Sequence, residues 1–188
     1  MVTTNSRFYE MITLYTIGHS TRSIGEFLSI LEAHKIETLV DIRAFPMSRR
    51  FPHFNREALE RALPERGMRY IWMQALGGRR TRQLPAGESP NLALRNESFR
   101  NYADYMLSPE FEHAAAELET LATKSRTAIM CAELLFFRCH RMLVSDYFSL
   151  RGHELLHIQD AKPPAPHRLT AEARLIDGQV IYRGDRLL

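Results

Sequence analysis

Two short runs hold most of the side chains able to do chemistry: Cys131-Ala132-Glu133 and Cys139-His140-Arg141. An apolar, strand-like stretch leads into the first, and a helix-like stretch begins near Cys139. A thiol at a helix start, beside Arg138 and Arg141, is acidified by the helix dipole and by the guanidiniums, which makes it a better nucleophile. His140 can move a proton near neutral pH, and Arg138 and Arg141 can grip a phosphate or carboxylate together with free helix N–H groups. Glu133, followed by Leu134-Leu-Phe-Phe137, is a candidate general acid or base; its ordinary alternative is an ion pair with Arg43 or Arg141. Cys139 could equally pack inward as a small hydrophobe, and Cys131 reads as a packed strand-end residue. The catalytic candidates are therefore Glu133, Cys139 and His140, with Arg141 as a substrate-binding candidate.

Three other polar clusters stand out. Gly18-His19-Ser20 follows an apolar run, and Asp41 and Arg43 sit two apart at the exit of another, so on a strand they point to one side. A Ser-His-Asp arrangement is open only through space, by way of Asp41. The Gly-x-Ser-x-Gly elbow is missing, so His19 and Ser20 read better as hydrogen-bonding partners of a ligand. The aperiodic segment Arg49-Arg50-Phe51-Pro52-His53-Phe54-Asn55 mixes cations with aromatics, a combination suited to holding phosphate and stacking on rings. His19, Ser20, Asp41, Arg43, Arg49 and Arg50 join Arg141 as substrate-binding candidates. The eight-residue separation of Cys131 and Cys139 resembles no standard zinc knuckle, so no metal ligands are expected. Gly77-Gly78 matches neither a phosphate-binding loop nor a dinucleotide fingerprint, and no cofactor is expected.

These clusters must be held by regular elements. Short β-branched runs at 12–17, 38–42, 68–73, 128–131 and 154–158 read as strands, and amphipathic stretches between them read as helices. Alternation of this kind predicts an α/β fold: a single three-layer domain with a mostly parallel five-stranded sheet and helices on both faces. Asp177-Gly178 between apolar pairs predicts a small C-terminal β-hairpin. Residues 1–11 are polar and aperiodic and read as a flexible tail before a domain spanning 12–188. Every polar cluster falls at a strand exit, where open α/β sheets place ligands once strand order reverses.

Composition narrows the class. The hydrophobic share of 45% and charged share of 25% are those of a globular protein, and no apolar run approaches the roughly 20 residues that span a bilayer. Two cysteines without a secretion signal predict a cytoplasmic setting, with no membrane association. Net charge is only +3, yet Arg43 to Arg82 carries ten Arg against three Glu, so this window is +7 and the remainder −4. Arg suits bidentate contact with phosphate or carboxylate.

The assembled motifs resemble the domain of unknown function 488 family. The pieces are Thr16-Ile-Gly-His-Ser-Thr21, Asp41-Ile-Arg-Ala-Phe-Pro46, Ser48-Arg-Arg-x-Pro-His-Phe-Asn55, Leu76-Gly-Gly-Arg79, Phe99-Arg-Asn-Tyr-Ala103, Cys131-Ala-Glu133 and Cys139-His-Arg141, in the family's order. The resemblance implies an α/β fold and leaves the reaction open. This chain departs from many relatives in carrying Leu-Leu-Phe-Phe between Glu133 and Arg138, where they have polar or acidic residues.

The expectation is a cytoplasmic enzyme, of hydrolase or transferase type. It would act on an anionic, phosphate- or nucleotide-like small substrate at the crevice above the strand C-termini. The alternatives are a nucleic-acid-binding module using the Arg/aromatic loop 43–56 and, less favoured, a redox or metal protein built on Cys131 and Cys139.

Overall fold

Side chains that alternate between two apolar environments fix the sheet. A computed structural model describes residues 11–85 and 87–184. The strands are β1 (Thr13–Gly18), β2 (Thr38–Asp41), β3 (Arg69–Trp72), β4 (Thr127–Cys131), β5 (Glu154–Ile158) and β6 (Ala165–Pro166). Leu14, Val40, Ile129 and Leu155 face one core, whereas Tyr15, Leu39, Ala128 and Met130 face the other. Burial on both faces is what a parallel sheet under two helical layers requires.

Among the described residues the α-helices are α1 (Ile24–Ala33), α2 (Arg56–Ala62), α3 (Glu97–Tyr105), α4 (Pro109–Ala122) and α5 (Arg141–Ser149). Phe27, Leu28 and Leu31 of α1 pack on one face with Leu59 of α2. Tyr102, Phe111, Leu118, Leu143 and Phe148 of α3 to α5 pack on the other. Ser23 caps α1 by accepting from the Glu26 N–H at 3.2 Å, and Ser108 caps α4 by accepting from Phe111 at 3.2 Å. A cap stabilises by about 1 kcal/mol, whereas each fully buried Leu or Phe stabilises by roughly 1.5–3 kcal/mol. Packing therefore decides where the helices lie.

Strand order is β3-β2-β4-β1-β5-β6, all parallel except β6, which pairs antiparallel with β5. The expected five strands become six: β6 is a two-residue edge strand containing Pro166, too short for any periodicity. The chain leaves β1 towards β2 and β3, but leaves β4 in the opposite direction towards β5. Right-handed crossovers then put α1 and α2 on one face and α3, α4 and α5 on the other. The chain thus leaves the neighbouring strands β1 and β4 towards opposite faces of the sheet, which opens a crevice beyond their C-terminal ends.

The hairpin β7 (Ala173–Ile176) and β8 (Gln179–Tyr182) turns at Asp177 and Gly178, with φ of 50° and 80°. It docks through Asp146 of α5, whose carboxylate accepts from His167 Nε2 at 2.9 Å, the Thr170 hydroxyl at 2.6 Å and the Tyr182 hydroxyl at 2.9 Å. Of the expected tail, residues 1–10 lie outside the described residues. Among the described residues, no helix is long and apolar enough to cross a membrane.

Candidate functional site

The crevice has a volume of about 810 Å³. Four chain segments leaving strand ends build it: His19 to Thr21 after β1, Arg43 to Phe51 after β2, Gly78 and Arg79 after β3, and Cys131 to Leu134 with Arg138 to His140 after β4. Ser98 and Phe99 at the start of α3 close one side. The β1–β4 ladder runs on past the strands, with His19 N–H donating to the Cys131 carbonyl and Ser20 N–H to the Ala132 carbonyl, both at 3.0 Å. This zipping needs Gly18: a Cβ there would lie 1.9 Å from the Glu133 carbonyl oxygen. Ser20 has φ of 52°, a left-handed conformation of the kind that clusters at functional sites.

Asp41 and Arg43 do share one side, and they hold each other. Asp41 is fully buried and Arg43 is 6% exposed. Arg43 Nε donates to Asp41 Oδ1 and Oδ2 at 2.9 and 3.0 Å, its Nη2 donates to the Phe54 carbonyl at 2.8 Å, and Tyr70 donates to Asp41 Oδ2 at 2.7 Å. Burial raises the Tyr70 hydroxyl pKa, and the Asp41 charge raises it further, so Tyr70 stays a donor. Burial alone would lower the Arg43 pKa, but hydrogen bonding to Asp41 and the Asp41 charge together outweigh it and keep the guanidinium charged.

Arg43 Nη1 donates to His19 Nε2 at 3.3 Å, and His19 Nδ1 donates to the Ser20 carbonyl at 2.9 Å. That pattern selects the neutral ring protonated on Nδ1. Burial, reinforced by the Arg43 charge, lowers the His19 pKa to about 4. No Ser-His-Asp arrangement forms, since Arg43 stands between His19 and Asp41. His19, stacked on Phe54 at 4.2 Å, is a fixed wall of the crevice.

The floor is a sulfur and imidazole cluster. His140 Nε2 donates to the Ile42 carbonyl at 3.1 Å, which turns Nδ1 towards Cys139 Sγ at 3.4 Å and Cys131 Sγ at 4.0 Å. The three potential ligand atoms lie within 4.8 Å of one another. Against burial, which by itself would raise it, the Cys139 thiol is held well below its ordinary range by the Cys131 thiol, His140 and Arg141. Cys131 is pushed the other way, first by its hydrogen bond to Cys139 and then by burial. Cys139 is thus the more acidic of the two thiols. The helix expected near Cys139 begins two residues on, at Arg141, after a 3-10 turn at Phe136–Arg138.

Arg141 departs from its expected role. It is 1% exposed, and its Nη2 donates to the Glu133 and Leu134 carbonyls, so it ties down the β4 exit and does not line the crevice. Nor does either candidate partner pair with the Glu133 carboxylate, because Arg43 is taken by Asp41 and Arg141 by main-chain oxygens. Glu133 lines the crevice from an exposed position. Arg50 lines it with its guanidinium 5.2 Å from the Phe51 ring centre, whereas Arg49 is exposed outside it.

The structure adds to the crevice Ser98, and brings in Gly78, Arg79 and Phe99, which the sequence motifs contained but did not mark as site residues. A Cβ on Gly78 would sit 2.3 Å from His140 Nδ1. The glycine pair in a long loop was the available signal, since close backbone approach is a common reason for Gly. The walls therefore carry Arg50, Arg79 and Arg138 with Phe45, Phe51 and Phe99, over a floor of Cys131, Cys139 and His140.

No curated protein and no solved structure matches the chain. Residues 23–148 match the model of a family described as Domain of unknown function DUF488, a span that contains β2 to β4 and most of the crevice, and the chain belongs to that family.

Proposed function

We propose that the protein is a cytoplasmic enzyme acting on an anionic small molecule that carries a ring, such as a nucleotide-like phosphate ester. One observation carries this reading: a concave crevice with cationic and aromatic walls narrows onto a buried cluster of two thiols and an imidazole. Arg50, Arg79 and Arg138 hold the anion, and Phe45, Phe51 and Phe99 flank the ring. Cys139 and His140 supply the activating centre, and Glu133 moves the proton. His19, Ser20 and the Asp41–Arg43 pair position the walls. Two free cysteines suit a reducing compartment.

The test is a thermal-shift panel of phosphate esters and nucleotides at low salt, repeated with Arg50→Ala and Arg138→Ala. Stabilisation by phosphate-bearing ligands that weakens in both variants supports the proposal. A panel in which no anion binds the folded protein rejects it.

A second reading rests on Phe45 and Met47, which are 65% and 76% exposed beside Arg49 and Arg50 at the crevice rim. Such a rim suits stacking on single-stranded nucleic acid. Salt-dependent binding of an oligonucleotide, lost in Phe45→Ala, would favour it over the enzyme.

A further inference from the structure

The floor of the crevice is spaced for a metal ion. We infer that Cys131, Cys139 and His140 bind a zinc-like divalent cation through Cys131 Sγ, Cys139 Sγ and His140 Nδ1, with the fourth position open to the crevice. A tetrahedral ion with bonds of about 2.3 Å to sulfur and about 2.0–2.1 Å to nitrogen sets sulfur–nitrogen separations of about 3.5 Å. The separations here are 3.4 and 4.0 Å. All three ligand atoms lie within 4.8 Å of one another, and a tetrahedral ion sets the two sulfurs about 3.8 Å apart, so closing the site needs shifts of about 1 Å at most.

Three further features fit an ion better than a packed core. His140 Nε2 donates to the Ile42 carbonyl at 3.1 Å, the outer hydrogen bond that metal-bound imidazoles use to fix ring and tautomer. Gly78 packs on the ring face, where a Cβ would fall 2.3 Å from Nδ1 and 2.6 Å from Cγ, so a glycine lets the ring keep Nδ1 turned towards the thiols. Cys131, Cys139 and His140 all line the crevice, so a fourth ligand, water or substrate, reaches the ion from the same space that holds Arg50, Arg79 and Arg138. Three protein ligands with one open position is the arrangement of catalytic rather than structural zinc.

Glu133 completes the chemistry. It lies two residues from Cys131, does not belong to the ligand set, and lines the same crevice. Zinc deaminases, which activate water on a Cys/His-bound ion, use a non-liganding glutamate as the proton acceptor. With an ion held there, Glu133 would be the residue placed to take a proton from water at the open position, the activation being the chemistry the ion would supply. The eight-residue cysteine spacing, which argued against zinc, concerned ligands within one knuckle; these ligands come from a strand end and a separate turn.

Metal binding goes beyond the anionic-substrate proposal and is measured without any substrate, so the two fail separately. The experiment adds Co²⁺ to reduced, metal-free protein and follows thiolate-to-cobalt absorption. Expected is a tetrahedral spectrum that saturates at a single ion per chain and is bleached by Zn²⁺. Cys139→Ser and His140→Ala should weaken Co²⁺ by more than the roughly 10–100-fold that loss of an outer partner costs. No thiolate band, or an unchanged band in both variants, overturns the inference. If a variant does not fold, X-ray absorption of the zinc-loaded wild type decides: sulfur and nitrogen neighbours support the site, and a shell of oxygen and nitrogen alone rejects it.

Discussion

His140 lies 3.4 Å from the sulfur of Cys139 through Nδ1 while its other nitrogen is committed to the Ile42 carbonyl at 3.1 Å. The ring cannot turn away without breaking the second bond, so the sulfur always faces the same nitrogen. In metal-free protein this makes Cys139 the more reactive thiol. Alkylation by iodoacetamide, followed by peptide mass spectrometry, should modify Cys139 ahead of Cys131. Its rate should persist at mildly acidic pH, where an ordinary thiol slows about tenfold per unit below its pKa of about 8.5. His140→Ala should bring back part of the ordinary pH dependence, because Cys131 and Arg141 still act on the thiol. Equal labelling of both thiols would contradict this assignment.

The Asp41–Arg43 pair predicts a large stability effect. Removing one partner of a buried pair strands the other charge, and Asp41→Asn should destabilise by roughly 3–5 kcal/mol in urea titration. Tyr70→Phe removes one of several donors to the same carboxylate and should cost about 0.5–1.5 kcal/mol. The reverse ranking would show that the pair does not anchor the β2 exit.

Gly78→Ala tests the contact over His140. A methyl 2.3 Å from Nδ1 has to displace either the loop or the ring. The expected loss is about 1–3 kcal/mol, with weakened ligand binding at the crevice. Gly87→Ala makes a poor control because its φ is 87°; Gly25→Ala, with nothing within 4 Å, should be nearly silent.

Acid should destabilise the fold before its carboxylates titrate. His19 has its pKa lowered to about 4 by burial and then by Arg43, and His157 has its pKa lowered to about 3 by burial and then by His167 and Arg141. Both are lower folded than unfolded, where a histidine titrates near about 6.5. Below about pH 6.5 the unfolded chain therefore takes up protons that the fold refuses. Stability is full above that pH and is lost as pH falls towards the folded values. Each ring should account for roughly 1–2 kcal/mol between pH 7 and 5. Urea midpoints that do not move over this range would show that neither ring is held neutral.

Much of the site was legible because strand exits announce themselves. Apolar runs ending in Gly18-His19-Ser20, Asp41-x-Arg43 and Cys131-x-Glu133 needed only a parallel sheet to bring them together. Strand order was less legible, since pairing β4 between β1 and β2 depends on partners 113 and 89 residues apart in sequence. Arg141 shows another boundary: residue type and spacing allow a guanidinium to face a ligand or a carbonyl, and only packing makes the choice. The metal-like spacing of Cys131, Cys139 and His140 was equally out of reach, because the 3-10 turn at Phe136–Arg138 folds the second thiol back onto the first.

The placement of β1 between β4 and β5 also carries a consequence for synthesis. The first strand emerges from the ribosome more than a hundred residues before either neighbour, and must wait as an unpaired edge. Pairings of such long sequence separation close slowly and leave apolar strands exposed meanwhile. His19 and Ser20 gain their backbone partners only when Cys131 and Ala132 arrive. A nascent chain stalled before residue 131 can therefore bury α1 and α2 against part of a sheet, but it has no crevice and is a substrate for chaperones.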